Sequence, residues 1–385
     1  MAPSEREQRR RRQRRVVIVA CIVAAVLVLA LVAIGLLVRD DSNDEPGAFR
    51  TEAATTVDET TSTEPTTTTT TTRGRRGSGE PVTFAFAGDV HFEGHLAASL
   101  AAGPEGLLAP IAPVLSRADV AVVNLETAVT DRGTPATKEY VFRTSPAAFT
   151  ALRGAGVDVV SMANNHGLDY GPVGLEDSLA VESATQFPVI GIGRNAAEAY
   201  SPFRIVVRGQ RVAVIAATQV LDENLAAAWT ATDTQAGMAS AKNGDALVAA
   251  VAAARADTDT LVVFLHWGVE RQTCPSSTQQ ELARRLADAG ADIVVGSHAH
   301  VLQGAGRLDS TLVAYGLGNF VFYNESGPAG ISGVLEVTAT GRKIDGYSWV
   351  PARLRNGVPV PLDGASADAD RAAWTALRDC TGLAL

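Results

Sequence analysis

Residues 158–166, DVVSMANNH, form the stretch that decides the fold. The apolar run over 157–162 predicts a buried strand, and it leads directly into Asn164, Asn165 and His166. A strand that ends in consecutive polar side chains places them at the carboxyl edge of a sheet, where α/β proteins bind their ligands. The stretch therefore predicts an α/β fold with a functional site at its strand ends.

Four other strand-like segments end in the same kind of side chain. They are FAFAGDVH with Asp89 and His91, VAVVNLE with Asn124 and Glu126, LVVFLHWG with His266, and DIVVGSHAH with His298 and His300. The chain has six histidines, and all except His95 lie at these strand ends. Scattered solvated histidines would instead fall mostly on helices and polar loops, so the pattern indicates one shared site. We interpret His95 as a local packing residue.

The N-terminus has the pattern of a membrane anchor. Residues 1–15 form a basic tail, and an uninterrupted apolar run of 23 residues follows over 16–38. A helix of that length would be about 35 Å long, which is enough to cross a bilayer. The run is too long for a signal peptide, and its basic flank predicts a cytoplasmic N-terminus. We therefore expect a single-pass protein of the cell membrane with an extracytoplasmic C-terminal domain, and no nucleic-acid partner.

The remainder divides by composition into a linker, a domain and an extension. Residues 39–80 are rich in threonine and proline and cannot supply a core, which predicts a disordered linker. We place the folded domain at 81–353 and a C-terminal extension at 354–385. The net charge of −9 argues against binding an anionic polymer over the general surface, but not against a locally positive site.

Cys274 and Cys380 both lie beyond the predicted span. A disulfide is permitted outside the cytoplasm, and the sequence leaves open whether these two cysteines pair. The chain has no CxxC pattern, so we expect no cysteine ligand to a metal.

Apolar runs alternate with alanine-rich segments from residue 81 onward, which predicts one large domain. The predicted strands are 82–87, 119–124, 157–162, 188–192, 259–265, 291–296 and 311–317. The predicted helices are 105–116, 146–155, 172–186, 243–255 and 276–289, with a short one over 368–380. Segments 203–216 and 334–350 have the pattern of hairpins, so we expect antiparallel strands beside a βα core, in mixed sheets.

Histidine nitrogens and carboxylate oxygens at neighbouring strand ends suit one or two divalent cations such as Zn, Mn or Fe. In SHAH, alternation along an extended segment would point His298 and His300 the same way, and the DxH pair of Asp89 and His91 has the same spacing. The alternative interpretation is a set of edge residues that hydrogen-bond a sugar or a peptide without metal.

The motifs GDVHFEG, NLE, SMANNHGLDYG, HWGVE, GSHAH and YGLGNFVF together resemble the CapA family of bacterial capsule (poly-γ-glutamate) synthesis proteins. The resemblance covers about residues 82–325. It implies an αββα sandwich of the calcineurin-like metallophosphoesterase type, with its site at the strand edges. It places metal ligands at Asp89, His91, Glu126, Asn165, His266, His298 and His300. His166, with Asn165 beside it, would be catalytic, protonating a leaving group or steadying a phosphate.

Several further residues have two interpretations each. Arg143 could hold an anionic substrate or be a surface arginine. Asn319 could line the site or belong to a turn, and Asp169 is better explained as a turn or helix cap than as a ligand. Asn124 is expected to support the ligands from outside, and Glu270 could support His266 in the same way or be a solvated loop acid.

Three functional hypotheses remain open at this point. The first is a membrane-anchored protein of capsule or poly-γ-glutamate synthesis or export, working with other capsule-synthesis membrane proteins. The second is a surface metallohydrolase that acts on phosphoesters or on an envelope polymer. The third is a non-catalytic module that keeps the fold and guides an anionic polymer.

Overall fold

The computed structural model describes residues 76–385. The predicted basic tail, the predicted span and most of the predicted linker lie outside the described residues. Within 76–385, no helix combines the length and the apolar character needed to cross a membrane.

Strands contribute about half of the regular structure. In chain order they are β1 (Val82–Val90), β2 (Val120–Leu125), β3 (Ala128–Val129), β4 (Arg143–Thr144), β5 (Val159–Ser161), β6 (Val189–Ile190), β7 (Ile192–Gly193), β8 (Phe203–Val207), β9 (Gln210–Thr218), β10 (Gly237–Met238), β11 (Thr260–His266), β12 (Ile293–Ser297), β13 (Ala305–Leu308), β14 (Thr311–Ala314), β15 (Asn319–Val321), β16 (Ile331–Thr340), β17 (Lys343–Arg355) and β18 (Val358–Pro361).

Helices connect many of these strands. In chain order they are α1 (His95–Ala102), α2 (Pro104–Leu107), α3 (Ala112–Leu115), α4 (Ala147–Gly154), α5 (Gly171–Thr185), α6 (Ala196–Ala199), α7 (Ala226–Trp229), α8 (Asp245–Arg255), α9 (Ser277–Asp288) and α10 (Gly364–Ala376), with single 3-10 turns at Gly327–Gly330 and Leu377–Cys380.

Two large mixed sheets carry the fold, as the sequence predicts. The first has the order β18-β17-β16-β1-β2-β5-β6, and β15 also pairs with β1. The second has the order β13-β14-β12-β11-β9-β8. Strands β1, β2, β5 and β6 run parallel, as do β9, β11, β12 and β14. The antiparallel strands flank these parallel cores, and both predicted hairpins form, as β8–β9 and β16–β17.

Alternation along the central strands produces four layers. In β1, Phe84 and Phe86 pack between the two sheets, whereas Ala85 and Ala87 join an outer cluster that contains residues of α1, α4 and α5. In β11, Val262 and Phe264 also face the inter-sheet core, while Val263 and Leu265 face α8 and α9. Full burial of such a side chain contributes about 2 kcal/mol, so a one-residue slip in either strand would be strongly unfavourable. The layers are therefore helix, sheet, sheet and helix.

Helix ends follow local chemistry. Ser276 accepts a hydrogen bond from the Gln279 amide at 3.2 Å, and the Gln279 side chain accepts one from the Ser276 amide at 2.9 Å, which fixes the start of α9. The prediction of one continuous helix over 105–116 was wrong, because the segment forms two short helices, α2 and α3. Pro110 lies between them and offers no amide hydrogen for a continuous helix.

Residues on both sides of the predicted domain also belong to the folded part. The Gln210 side-chain amide donates to the carbonyls of Arg76 (2.9 Å) and Glu80 (2.7 Å), so the end of the predicted linker is fixed at the start of β9. Beyond residue 353, β18 pairs with β17, and Trp374 of α10 stacks on Trp349 at 5.2 Å. The segment expected as an extension therefore completes the first sheet and adds Trp374 to the cluster between the two sheets.

Cys274 and Cys380 are joined by a disulfide that spans 106 residues of chain. The bond resolves the question that the sequence left open. It links the loop after β11 to the 3-10 turn near the C-terminus.

Candidate metal centre

The predicted polar strand ends converge at one edge of the sandwich. Register brings Asp89 opposite both Asn124 of β2 and Asn319 of β15 within the first sheet. In the second sheet, His266 lies opposite Ser297, the last residue before the SHAH histidines. The carboxyl ends of parallel strands share an edge, which is why side chains that are far apart in sequence meet here.

A chain of amides orients the floor of the site. The Asn124 amide donates to Asp89 Oδ1 at 2.8 Å, as expected for a supporting residue. Asn164 donates in turn to Asn124 Oδ1 at 3.1 Å and accepts from the His166 amide at 3.0 Å. Sequence reasoning did not assign Asn164 a role, although its position in the NNH run was a usable signal.

Glu126 is a fully buried carboxylate at the centre of the cluster. Within the described residues, neither of its oxygens has a hydrogen-bond partner. Its Oε1 lies 3.4 Å from His266 Nε2 and 4.0 Å from the Nε2 atoms of His166 and His300. Burial, together with the charge of Asp89, raises the pKa of Glu126 well above its usual range. A bound cation would remove this electrostatic cost.

His266 connects the two sheets at the site. Its Nε2 lies 2.6 Å from Asn165 Oδ1, and its Nδ1 lies 3.1 Å from Ser297 Oγ. Burial, with the neighbouring His298 and other positive groups, holds the pKa of His266 well below its ordinary value. The imidazole is therefore neutral, which is the form that binds metal.

The two SHAH histidines meet in a way the sequence did not predict. We expected alternation along an extended segment, but His298 and His300 both have positive φ, 89° and 55°. Left-handed backbone turns the chain within the motif, so simple alternation does not apply. The rings nevertheless lie 5.8 Å apart, because the turn brings them to the same side.

These two imidazoles have opposite electrostatic surroundings. His298 donates its backbone N–H to Asp89 Oδ2 at 3.1 Å, and burial and the nearby His300 lower the pKa of its ring to about 3. Burial also opposes a charge on His300, but Glu126 and Asp89 outweigh it and raise the pKa of that ring to about 10. His300 Nδ1 lies 2.9 Å from Asn319 Oδ1, so Asn319 lines the site.

His91 closes the site on the side of the first sheet. Its Nδ1 accepts from the Glu93 amide at 3.0 Å, and its buried Nε2 has no partner among the described residues. Its ring packs against Phe142 and Phe322, with centroids 4.7 and 4.0 Å away. Burial is the main cause that holds its pKa well below the ordinary value.

His166 belongs to a separate hydrogen-bonded pair at the rim. Its Nδ1 lies 2.6 Å from Asp169 Oδ2, and Asp169 also accepts from the Phe142 amide at 2.6 Å. Lys138 Nζ lies 2.8 Å from Asp169 Oδ1 and donates to the Asn165 carbonyl. Asp169 therefore orients His166, in addition to its place in the LDYG turn. Sequence reasoning missed Lys138, because its loop has no periodicity and its partners are about 30 residues away.

The structure bears on two residues whose roles the sequence left open. Arg143 is exposed, and its guanidinium lies 4.9 Å from the Tyr170 ring; no contact with the histidine cluster is seen in the described part of the chain. Glu270 could bind a metal directly instead of supporting a ligand. One of its carboxylate oxygens lies within 4.8 Å of potential ligand atoms of His298 and His300.

The side chains fit a divalent cation. Three sets place their ligand atoms within 4.8 Å of one another: Glu126–His266–His298, Asp89–Glu126–His300 and Glu270–His298–His300. The buried atoms without partners among residues 76–385 include both Glu126 oxygens and His298 Nδ1. His91 Nε2 is also without a partner there, but it carries the ring hydrogen when Nδ1 accepts from the Glu93 amide. Buried polar atoms are normally paired, and a cation that accepts these lone pairs fits this set of side chains.

The family model described as "Bacterial capsule synthesis protein PGA_cap" matches residues 83–324, which include all of these ligand positions. This chain belongs to that family. The family expected from the sequence motifs is therefore confirmed.

Three curated relatives agree with this assignment. The PGA biosynthesis protein CapA of Bacillus subtilis is 28% identical over 267 residues, or 68% of each chain. The capsule biosynthesis protein CapA of Bacillus anthracis is 32% identical over 219 residues, 56% of this chain and 52% of the relative. A probable polyglutamine synthesis accessory protein of Mycobacterium tuberculosis is 28% identical over 210 residues, 53% and 55%. The matched region thus spans about half to two thirds of these relatives.

Solved structures that resemble this chain include one of bacterial and one of fungal origin. A hypothetical protein from Thermus thermophilus is 18% identical with a TM-score of 0.45, covering 71% of this chain and 100% of the other. The 5'-nucleotidase from Candida albicans is 12% identical with a TM-score of 0.42, covering 77% and 58%.

Proposed function

We propose that this protein acts in the synthesis or export of an anionic capsule polymer of the poly-γ-glutamate type, through a site for two divalent cations. The observation that carries the proposal is Glu126, whose two buried oxygens have no hydrogen-bond partner in the described structure. Leaving a carboxylate in this state costs several kcal/mol, roughly, unless a cation offsets it.

The pattern of candidate ligand sets supports a pair of cations. Glu126 belongs to two of the three sets, one with His266 and His298 and the other with Asp89 and His300. A carboxylate shared in this way would bridge two ions, and the mixture of imidazole and carboxylate ligands favours Mn, Zn or Fe. Such ions lower the pKa of a bound water and polarise a carbonyl or phosphoryl oxygen.

His166 supplies the protein's own proton chemistry in this proposal. The Asp169 carboxylate on its Nδ1 fixes the ring orientation and favours the imidazolium, although burial keeps the pKa of His166 below its ordinary value. In its protonated form the ring would give the Nε2 proton to a leaving group. Lys138 holds Asp169 in place. The His166–Asp169 pair favours a second candidate function, which is hydrolysis of a phosphoester or an envelope polymer. We propose that the fold is of the calcineurin-like metallophosphoesterase type.

We further propose that residues 16–38 anchor the protein in the cell membrane and that the folded part is extracytoplasmic. The disulfide between Cys274 and Cys380 supports this location, because such bonds persist in oxidising compartments. An anchored protein would be placed to work beside other membrane proteins of capsule synthesis.

Metal analysis of the full chain tests the cation site. We expect about two equivalents of Mn, Zn or Fe in the wild type, and loss of at least one in His298→Ala. Turnover of γ-linked glutamate oligomers or of a phosphodiester would separate hydrolase from binding module. Metal-free protein after purification with all three metals present would contradict the proposal.

Protease treatment of intact cells tests the topology. We expect added protease to remove the folded part, whereas a domain that stays fully protected until the cells are lysed would contradict the outward orientation.

A further inference from the structure

A separate cavity of about 300 Å³ opens beside His300. Its walls come from the loop after β11 and from the segment around β15 and the 3-10 turn that follows it. The lining residues that matter here are Glu270, Arg271, Thr273, Phe322, Asn324 and Ser326. The cavity therefore adjoins the proposed metal centre at His300 and Asn319 but extends away from it.

Arg271 is the one arginine in this wall, and it was not among the residues singled out by the sequence. Its backbone has a φ of 62°, and its N–H donates to the Ala299 carbonyl at 2.7 Å, so the position of its Cα is fixed. The Arg271 side chain is exposed, and no ion pair to it is seen within residues 76–385. A guanidinium that stands on a fixed backbone position in the wall of a cavity, with no ion-pair partner among the described residues, can recognise an anion.

The rest of the lining selects among anions. Val301, Phe322, Pro328 and Ala329 provide apolar surface, which fits a short aliphatic stem. Glu270 shares the wall with Arg271. A phosphate monoester carries a charge of about −1.5 to −2 and would be repelled by Glu270, whereas a carboxylate carries −1 and can be matched by a single guanidinium.

We propose that this cavity binds a carboxylate carried on an aliphatic stem, belonging to the polymer unit next to the one at the metal centre, and that Arg271 recognises this carboxylate. The inference rests on the proposed function and adds a residue that recognises the polymer. It also assigns anion recognition to Arg271 rather than to Arg143, which lies over Tyr170 outside the cluster.

Binding of a γ-linked glutamate decamer to the full, metal-loaded chain tests the assignment. The comparison probes are the same decamer with its carboxylates converted to amides, and an O-phosphoserine decamer, whose side chains are phosphate monoesters. The variants are Arg271→Gln and Arg271→Lys, with Arg284→Gln of α9 as the control because that arginine is also exposed. None of them introduces glycine, so the positive φ at position 271 is equally constrained in each variant.

We expect Arg271→Gln to bind the glutamate decamer about tenfold more weakly, because a charge-assisted pair is lost. Arg271→Lys should recover part of the affinity, and Arg284→Gln should match the wild type. Metal content and thermal unfolding of all three variants should be unchanged, which excludes misfolding.

Three outcomes overturn the proposal. If Arg271→Gln binds the decamer as tightly as the wild type does, Arg271 does not recognise the carboxylate, and the proposed function is unaffected. Equal binding of the amidated or the phosphate oligomer would refute the carboxylate assignment. A wild type that carries metal but binds none of the oligomers would contradict the proposed function itself.

Discussion

Glu126 determines much of what the site tolerates, because a carboxylate with no partner is held among imidazole rings. The same buried charge that would attract cations makes the metal-free protein less stable. Function and stability therefore oppose each other at this one side chain.

Replacement Glu126→Gln should separate these two effects. We expect metal affinity to fall at least about 100-fold, because the shared carboxylate ligand is lost. We also expect the metal-free variant to be about 1 kcal/mol more stable than metal-free wild type near neutral pH. The raised pKa of Glu126 means that the wild type must either bury an ionised carboxylate or protonate it on folding, and glutamine does neither. Metal titration and urea unfolding of both proteins in chelator measure these quantities. Glu281→Gln on the exposed face of α9 is the control, and a less stable metal-free Glu126→Gln protein would refute the argument.

Lys138 and Asp169 should behave as a coupled pair. The Lys138 side chain is only 10% exposed and lies 2.8 Å from a fully buried carboxylate. Lys138→Met would leave that carboxylate its contacts with His166 and the Phe142 amide but remove its counter-charge, at a cost of about 3 kcal/mol in unfolding free energy. Adding Asp169→Asn should recover part of the loss, since no buried charge then remains. A double-mutant cycle by urea unfolding tests this, and additive losses would show that the two groups are not coupled.

At the scale of elements, strand β1 carries a backbone feature that the site depends on. Its register shifts near Asp89, where it lies between β2 and β15. Gly88 permits that approach: a Cβ at this position would lie 1.8 Å from the Gly318 carbonyl oxygen. The glycine is needed for contact between two backbones.

Gly88→Ala should therefore displace β15 from β1 and disturb the ligands on either side. We expect a loss of about 2 kcal/mol or more in stability, together with weaker metal binding, because Asp89 and Asn319 face each other across this contact. Gly346→Ala in β17, where nothing lies within 4 Å of the new methyl group, is the matched control. Thermal unfolding and metal titration measure both effects, and equal behaviour of the two variants would contradict the packing argument.

The strands that bear the ligands were predictable because each is an apolar run that ends in a polar side chain. The route by which His298 and His300 meet was not, since positive φ leaves no periodic signal in the sequence. Helix α1 and the division between α2 and α3 were also missed, because short helices are defined by tertiary packing more than by pattern. Lys138 was also missed, because its role depends on tertiary contacts with residues about 30 positions further along the chain.

For the molecule as a whole, the disulfide joins the loop that carries Glu270 and Arg271 to the C-terminal turn. It closes a segment of 106 residues, so its loss should cost up to about 4 kcal/mol of unfolding free energy in the chain-entropy account. We expect Cys380→Ser to unfold at lower urea concentration than wild type, and reductant to lower the stability of the wild type alone. Cys21→Ser is the control, and a stable Cys380→Ser variant would show that the bond is dispensable.

Gln210 fixes residues 76–80 at the beginning of β9, whereas Thr218 at the other end of that strand pairs with His266. A strand of nine residues is roughly 27 Å long, so the chain enters the sandwich at the rim opposite to the histidines. A purification handle, fluorescent fusion or sensor-chip coupling placed ahead of Arg76 would consequently leave the mouth of the cavity unobstructed. Coupling through an engineered cysteine at Asn324 would instead obstruct it.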